Sequence, residues 1–222
     1  MPSTIFCAYS SQGGRSHNED TAFACSDRVM VADGIGSYGA GDKASKAAVD
    51  FYTNKALLPC SGVVAAVTQG ATTFTGVQLV GRAWAFLHCG DTAAFLYNAA
   101  GLRRLTEDQS VFGAVGASNY SDAFDIREAK RTLLSYLGGG RDASLTWQSG
   151  SVPAAPGDII VVLSDGFYGC CEDPATGLLD LGALKPIIDS VLLASPEEAQ
   201  RICMDCGVRK RDNASFAALQ IL

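Results

Sequence analysis

Two short apolar runs in this chain stop in the same way: Val29-Met-Val-Ala-Asp33-Gly34 and Ile160-Val-Val-Leu-Ser-Asp165-Gly166. Each has the length of a strand, and each is halted by an acid followed by glycine. Phe86-Leu-His-Cys-Gly-Asp91 ends similarly, Arg211-Asp212-Asn213 immediately precedes the last apolar stretch, and Glu19-Asp20 stands just before another short run. Strand ends converge at one edge of a sheet, so acids from distant segments can point into one pocket. Carboxylates gathered there repel one another unless a cation lies between them. Oxygen donors with no His or thiolate at these positions favour Mg²⁺ or Mn²⁺. Taken singly, Asp-Gly after a strand is also an ordinary turn. At this level a two-metal nuclease, a phosphatase and a calcium-binding scaffold all stay open.

Periodicity predicts strands over residues 4–10, 21–25, 28–32, 77–80, 83–89, 92–97, 102–105, 144–148, 158–163 and 213–221. It predicts helices over 42–57, 61–74, 125–137 and 179–193, and one more opened by Ser195-Pro-Glu-Glu198, with Ser195 as N-cap, Pro196 at N1 and Glu198 as the capping-box acid. The Gly-rich stretch 34–41 and residues 108–121 read as loops. Strands come in adjacent groups and helices in adjacent pairs. That grouping favours an α+β fold of largely antiparallel sheets, with helices over the outer faces of two stacked sheets. With 222 residues, a single domain over 1–222 is expected.

Composition narrows the function classes. There are 17 Lys and Arg against 23 Asp and Glu, a net charge of −6, which argues against a duplex nucleic-acid binder. Two His exclude a three-His zinc site. The eight Cys are scattered, no secretory leader precedes them, and no run approaches the ~18 apolar residues of a membrane span. Reduced thiols in a cytoplasmic protein are the expectation.

The order of the motifs is more specific than any one of them. Arg15-Ser-His-Asn-Glu19-Asp20, Val31-Ala-Asp33-Gly34-Ile-Gly36, Gly90-Asp91-Thr92, Asp108-Gln-Ser110, Leu163-Ser-Asp165-Gly166 and Asp212-Asn213 occur in one chain. Together they resemble the metal-dependent protein Ser/Thr phosphatases of type 2C, the PPM family, over nearly the whole sequence. The resemblance implies a four-layer αββα sandwich and hydrolysis of phosphoserine and phosphothreonine in proteins by a hydroxide bridging two Mg²⁺ or Mn²⁺ ions. By the same resemblance Asp33 bridges the metals, the Gly34 carbonyl is a further ligand, and Asp165 and Asp212 are direct ligands of one ion. Glu19 holds waters on the second ion, Asp20 supports it, and Arg15 grips the substrate phosphate. The implied partners are phosphorylated proteins and an opposing Ser/Thr kinase, for a monomer that needs neither nucleic acid nor membrane. Alternatives are a pseudophosphatase that binds without turnover, or a phosphatase of small phosphorylated metabolites.

The chain also departs from the family pattern. Ile35 replaces a His that many eukaryotic members use as proton donor, and Gln109 replaces a common His. A third ion would use Asp91, Asp165 and an acid four residues later, where this chain has Gly169, so such an ion is weak at most. The segment between Ser110 and Arg127 is short, which leaves the pocket open. His17 and His88 read as packing residues, the first with a lesser reading as proton donor. Cys170-Cys171 and Cys203-Met-Asp-Cys206 are expected as free thiols, with a shared zinc or redox site as the lesser reading. Arg209-Lys210-Arg211 reads as a solvated loop able to attract anionic phosphopeptides.

Overall fold

A computed structural model describes residues 3–120, 122–140 and 145–222. Its strands are β1 (Thr4–Ser11), β2 (Thr21–Ala24), β3 (Arg28–Ala32), β4 (Ala71–Thr72), β5 (Phe74–Val80), β6 (Ala83–Cys89), β7 (Ala93–Asn98), β8 (Gly101–Arg104), β9 (Leu137–Gly138), β10 (Gln148–Pro153), β11 (Ile159–Leu163) and β12 (Ala214–Ile221). Its helices are α1 (Gly41–Thr53), α2 (Ser61–Ala66), α3 (Val111–Val115), α4 (Ala123–Arg131), α5 (Asp165–Tyr168), α6 (Leu181–Leu193) and α7 (Pro196–Lys210). One sheet has the order β1-β12-β11-β7-β8 and the other β10-β6-β5-β3-β2; every neighbouring pair is antiparallel.

The apolar runs are continuous because both faces of these strands are covered. Side chains alternate across a strand. On β3, Val29 and Val31 face the other sheet, while Met30 and Ala32 face α1 with Ala44, Ala48 and Tyr52. On β11, Ile160 and Val162 enter the inter-sheet core, while Val161 and Leu163 meet Leu184, Ile188 and Cys203 of α6 and α7. Three apolar layers therefore separate four structural layers, the two-sheet sandwich flanked by helices that was expected.

Most elements fall where periodicity places them, but five do not. The helix expected over 42–57 stops at Thr53. The Arg28 guanidinium caps it, Nη1 donating to the carbonyls of Tyr52 (2.7 Å) and Lys55 (2.6 Å). The helix expected over 61–74 ends at Ala66, and the one expected over 125–137 runs instead from Ala123 to Arg131. Asp122 starts it early by accepting from the amides of Phe124 and Asp125. The lost ends of both predicted helices pair with each other as β4 and β9 (Ala71 with Gly138, Thr72 with Leu137). The loop expected over 108–121 contains α3, capped by Ser110 Oγ accepting from the Gly113 amide; Ser121 lies outside the described residues. The strand expected over 144–148 is displaced to Gln148–Pro153, and Ser144 also lies outside them. The capped opening of α7 is as expected, Ser195 Oγ accepting from the Glu198 amide.

Candidate metal centre

At one end of the sandwich, Arg15, Glu19, Asp33, Gly34, Asp91, Asp165 and Asp212 line a single recess of about 370 Å³. All seven were singled out in the sequence, and they come from five separate stretches of chain. Asp33 is fixed as it leaves β3. Its amide donates to Thr73 Oγ1 (3.1 Å), and its carbonyl accepts from the Thr73 amide (2.9 Å) and Thr72 Oγ1 (2.8 Å). The next peptide is pinned by the Gly34 amide on the Glu19 carbonyl (3.2 Å) and the Ile35 amide on the Ala71 carbonyl (2.8 Å). None of these bonds uses the carbonyl of Gly34. The Glu19 carboxylate lies against the backbone of Gly36 and Gly41, at the start of α1, where the helix dipole favours negative charge.

The second acid pair is joined by direct backbone contact. A Cβ on Gly166 would sit 1.7 Å from the Asn213 carbonyl oxygen and 3.1 Å from Asp212 Cβ. Only glycine allows β11 to turn into α5 that close to the start of β12, and this contact sets Asp165 beside Asp212. Asp91 is held from behind by Tyr168, whose hydroxyl donates to the Asp91 carbonyl (2.8 Å). Arg15 donates from Nη2 to Asp212 Oδ2 (2.8 Å) and from Nε to the Arg211 carbonyl (3.2 Å).

The electrostatics describe a site short of positive charge. Burial raises the Asp33 carboxyl well above its usual range, and Asp20, Asp165, Asp91 and Asp212 add to the shift. Asp91 is raised well above its usual range by burial and then by Asp165 and Asp108. Asp165 is raised by burial and by Asp212, with Lys210 pulling the other way. Asp20 lies beneath the floor, and burial followed by its acidic neighbours lifts it to about 7. Neither Asp20 oxygen has a hydrogen-bond partner among the described residues. The hydroxyls of Ser164 and Ser215 face it without reaching hydrogen-bond geometry, and Ser215 donates to Ser10 Oγ instead (2.8 Å).

A hard divalent cation fits this set, which offers carboxylates and a carbonyl with no soft donor. Among the described residues no three Asp, Glu, His or Cys side chains are grouped tightly enough to hold an ion by themselves. An ion here would need water in its shell, as Mg²⁺ and Mn²⁺ sites commonly have.

Two residues without an assigned role turn out to position the site. Asn213 holds the loop that carries Arg15 and Glu19: its Nδ2 donates to the carbonyls of Gln12 (3.0 Å) and His17 (2.8 Å), and its Oδ1 accepts from the Glu19 amide (2.9 Å). Its place after Asp212 was the only signal. Gln109 clamps the turn before Asp91, its Oε1 accepting from the Gly90 amide and its own amide donating to the Gly90 carbonyl, both at 2.9 Å. His88 is buried and structural: Nε2 donates to the Glu107 carbonyl (2.8 Å), Nδ1 accepts from Thr75, and burial pulls its pKa down to about 4. His17 is not a packing residue. It is 71% exposed, with Nε2 3.9 Å from Glu19 Oε1. The cysteines of both pairs do meet in one apolar cluster, Cys170 and Cys171 having their sulfurs 3.7 Å apart, and all eight are free thiols.

No family model and no curated protein matches the sequence. Solved structures do. The Mycobacterium tuberculosis serine/threonine phosphatase PstP/Ppp superposes with a TM-score of 0.73 at 18% identity, over 99% of each chain. The catalytic domain of PstP in complex with two manganese ions gives 0.72 at 19%, over all of both chains. The PPM Ser-Thr phosphatase MsPP from Mycobacterium smegmatis, in complex with cacodylate, gives 0.72 at 21%, again over all of both chains.

The fold is that of the bacterial PPM phosphatases. Within the PPM fold, the recess lies where both Asp-Gly turns leave their sheets, one from each half of the sandwich.

Proposed function

We propose that this chain is a metal-dependent protein phosphatase acting on phosphoserine and phosphothreonine. The observation that carries the reading is the meeting of Glu19, Asp33, Asp91, Asp165 and Asp212 in one recess with Arg15 at its edge. Carboxyls this buried and mutually repelling call for divalent cations. The solved structure of similar fold that holds two manganese ions supports the same requirement.

Asp33, Asp165, Asp212 and the Gly34 carbonyl would hold one ion, and Asp33 with Glu19 the second; any third, at Asp91 and Asp165, would lack an acid at Gly169. Two such ions supply Lewis acidity toward a phosphoryl group and toward water. The chain supplies the rest. Arg15 has five N–H donors and uses two on Asp212 and Arg211, so its remaining donors are available to the planar edge of a phosphate. Asn213 keeps Arg15 and Glu19 on one rigid loop, and Thr73 and Gly166 keep Asp33 and Asp165 from moving as charge develops. No side chain is needed as nucleophile. Ile35 places no acid beside the leaving group, so its proton comes from solvent or substrate.

The implied partners are phosphorylated proteins and an opposing Ser/Thr kinase, for a monomeric enzyme in the cytoplasm over the single domain 1–222. Eight free thiols support the reducing compartment. No helix among the described residues is long and apolar enough to cross a membrane.

Asp33→Asn and Asp165→Asn test the assignment. Each lowers Mn²⁺-dependent hydrolysis of an aryl phosphate and of a phosphothreonine peptide by about a thousandfold or more, the scale of losing preorganised charge stabilisation, while the circular dichroism spectrum is unchanged. Near-normal turnover in either variant overturns it. Tight Mn²⁺ binding by the wild type without phosphate release would mark a binding module instead.

A further inference from the structure

Beside the acid recess, and sharing Arg15, Asp91, Asp165 and Asp212 with it, lies a second cavity of about 440 Å³ between α4 and the end of α7. Its lining carries six basic side chains beside five acids, Asp91, Asp108, Asp165, Glu172 and Asp212. Arg127, Lys130 and Arg131 stand at i, i+3 and i+4 on α4 and so share one face. Lys210 and Arg211 stand opposite, and Arg15 closes the shared edge. Six of the 17 basic residues thus surround one cavity in a chain whose net charge is −6.

Exposed Lys and Arg usually form a solvated face, but two of these turn inward. Lys130 and Lys210 both donate to the carboxylate of Glu172, whose side chain is only 10% exposed. Glu172 is shared by two ammonium groups, while Asp165 and Asp212 add negative charge on the Lys210 side, so the surplus of positive charge lies toward α4. Space for the Lys210 ammonium is made by Gly169: a Cβ there would lie 2.6 Å from Nζ. The position that lacks an acid is therefore filled by a cation. Arg127 has no ion pair among the described residues, and Arg131 meets only Glu128, at 3.5 Å with both side chains more than half exposed, a pair worth little in water.

We propose that this cavity is a second anion subsite, which takes an acidic side chain, phosphorylated or carboxylate, from the same peptide whose phosphoserine or phosphothreonine enters the acid recess. It rests on the phosphatase reading and adds to it a substrate class, phosphopeptides with a nearby second anion. Arg127 and Arg131 recruit that anion and the Lys130–Glu172–Lys210 cluster receives it.

The test uses the full chain with Mn²⁺ and three peptides of one sequence. Each carries a single central phosphothreonine, flanked by alanine, by glutamate, or by a second phosphoserine. Hydrolysis is measured for each, and binding is measured separately by fluorescence anisotropy, with Asp33→Asn, which lies outside this cavity, used to prevent turnover. The expected result is at least a tenfold advantage in kcat/KM and in affinity for the acidic peptides, shrinking as salt rises. An advantage for the phosphoserine peptide alone assigns the subsite to phosphoryl groups; an advantage for both assigns it to anions generally. In Arg127→Glu/Arg131→Glu, on an exposed helix face, the advantage falls to within about twofold of unity. Equal handling of all three peptides by the wild type, or an advantage that survives the double substitution, overturns the subsite. Absence of any hydrolysis would count against the phosphatase reading, whereas the anisotropy arm would still decide the subsite.

Discussion

The two Asp-Gly turns begin alike and are secured by different means. After β3, Asp33-Gly34 continues as extended chain, bridged to Thr72 and tied through Thr73 by backbone and hydroxyl hydrogen bonds. After β11, Asp165-Gly166 goes straight into α5 and is located by steric contact with Asn213. Their electrostatics differ too. Lys210 lowers the Asp165 pKa against burial, whereas every neighbour named for Asp33 is another acid. One dipeptide can therefore present two carboxylates of unequal need, and the Asp33 side depends more heavily on an added cation.

The contrast is broken most severely at the steric contact. Gly166→Ala forces a Cβ into the Asn213 carbonyl and destabilises the protein by about 3 kcal/mol or more, read as a lower urea midpoint together with loss of Mn²⁺-dependent hydrolysis. A midpoint within experimental error of wild type would show that α5 shifts freely and that the contact does not locate Asp165.

A smaller effect follows from the loop that both halves share. Asn213→Ala strands the carbonyls of Gln12 and His17 and the Glu19 amide. It costs about 2 kcal/mol, within the range for buried groups left unpaired. Because Arg15 and Glu19 ride on that loop, kcat/KM for an aryl phosphate falls beyond what the stability loss explains. Unchanged kinetics at a temperature where the variant is fully folded would remove Asn213 from the positioning set.

The electrostatic half of the contrast is the subtlest. Asp20, Asp33, Asp91 and Asp165 all have folded pKa values above the ordinary carboxylate value. Between about pH 4 and pH 7 the metal-free folded chain therefore holds protons that the unfolded chain has released, and stability falls as pH rises through that window. In chelator the melting temperature is lower at pH 8 than at pH 5, and Mn²⁺ restores more at pH 8. Metal-free Asp33→Asn gains more stability at pH 8 than Asp165→Asn, by about 1 kcal/mol, because Lys210 already offsets part of the Asp165 charge. Equal gains would mean that Lys210 does not distinguish the two turns.

Much of this was legible because the strands are short, apolar on both faces and ended by acids, so 28–32 and 158–163 could be placed and Asp33 and Asp165 put in one pocket, although they leave two different sheets rather than one sheet edge. Residues 61–74 and 125–137 misled because helical periodicity was carried through Gly70 and into Leu137. What stops both helices is a two-residue ladder between Thr72 and Leu137, and local pattern carries no trace of a partner 65 positions away. The same limit hid the second cavity. Arg209-Lys210-Arg211 reads as a surface run until Gly169, some forty residues earlier, is seen to leave room for one of its side chains. Asn213 was overlooked for a different reason: a carboxamide that organises a loop looks in sequence like any residue opening a strand.

β12 is the last of these strands to be synthesised, yet it lies inside its sheet, hydrogen-bonded to β1 on one side and β11 on the other. Asp212 and Asn213 arrive with it. Until β12 is in place the recess lacks both its closing acid and the clamp on Arg15, so it is completed by contacts nearly 200 positions apart, the slowest kind for a folding chain to make.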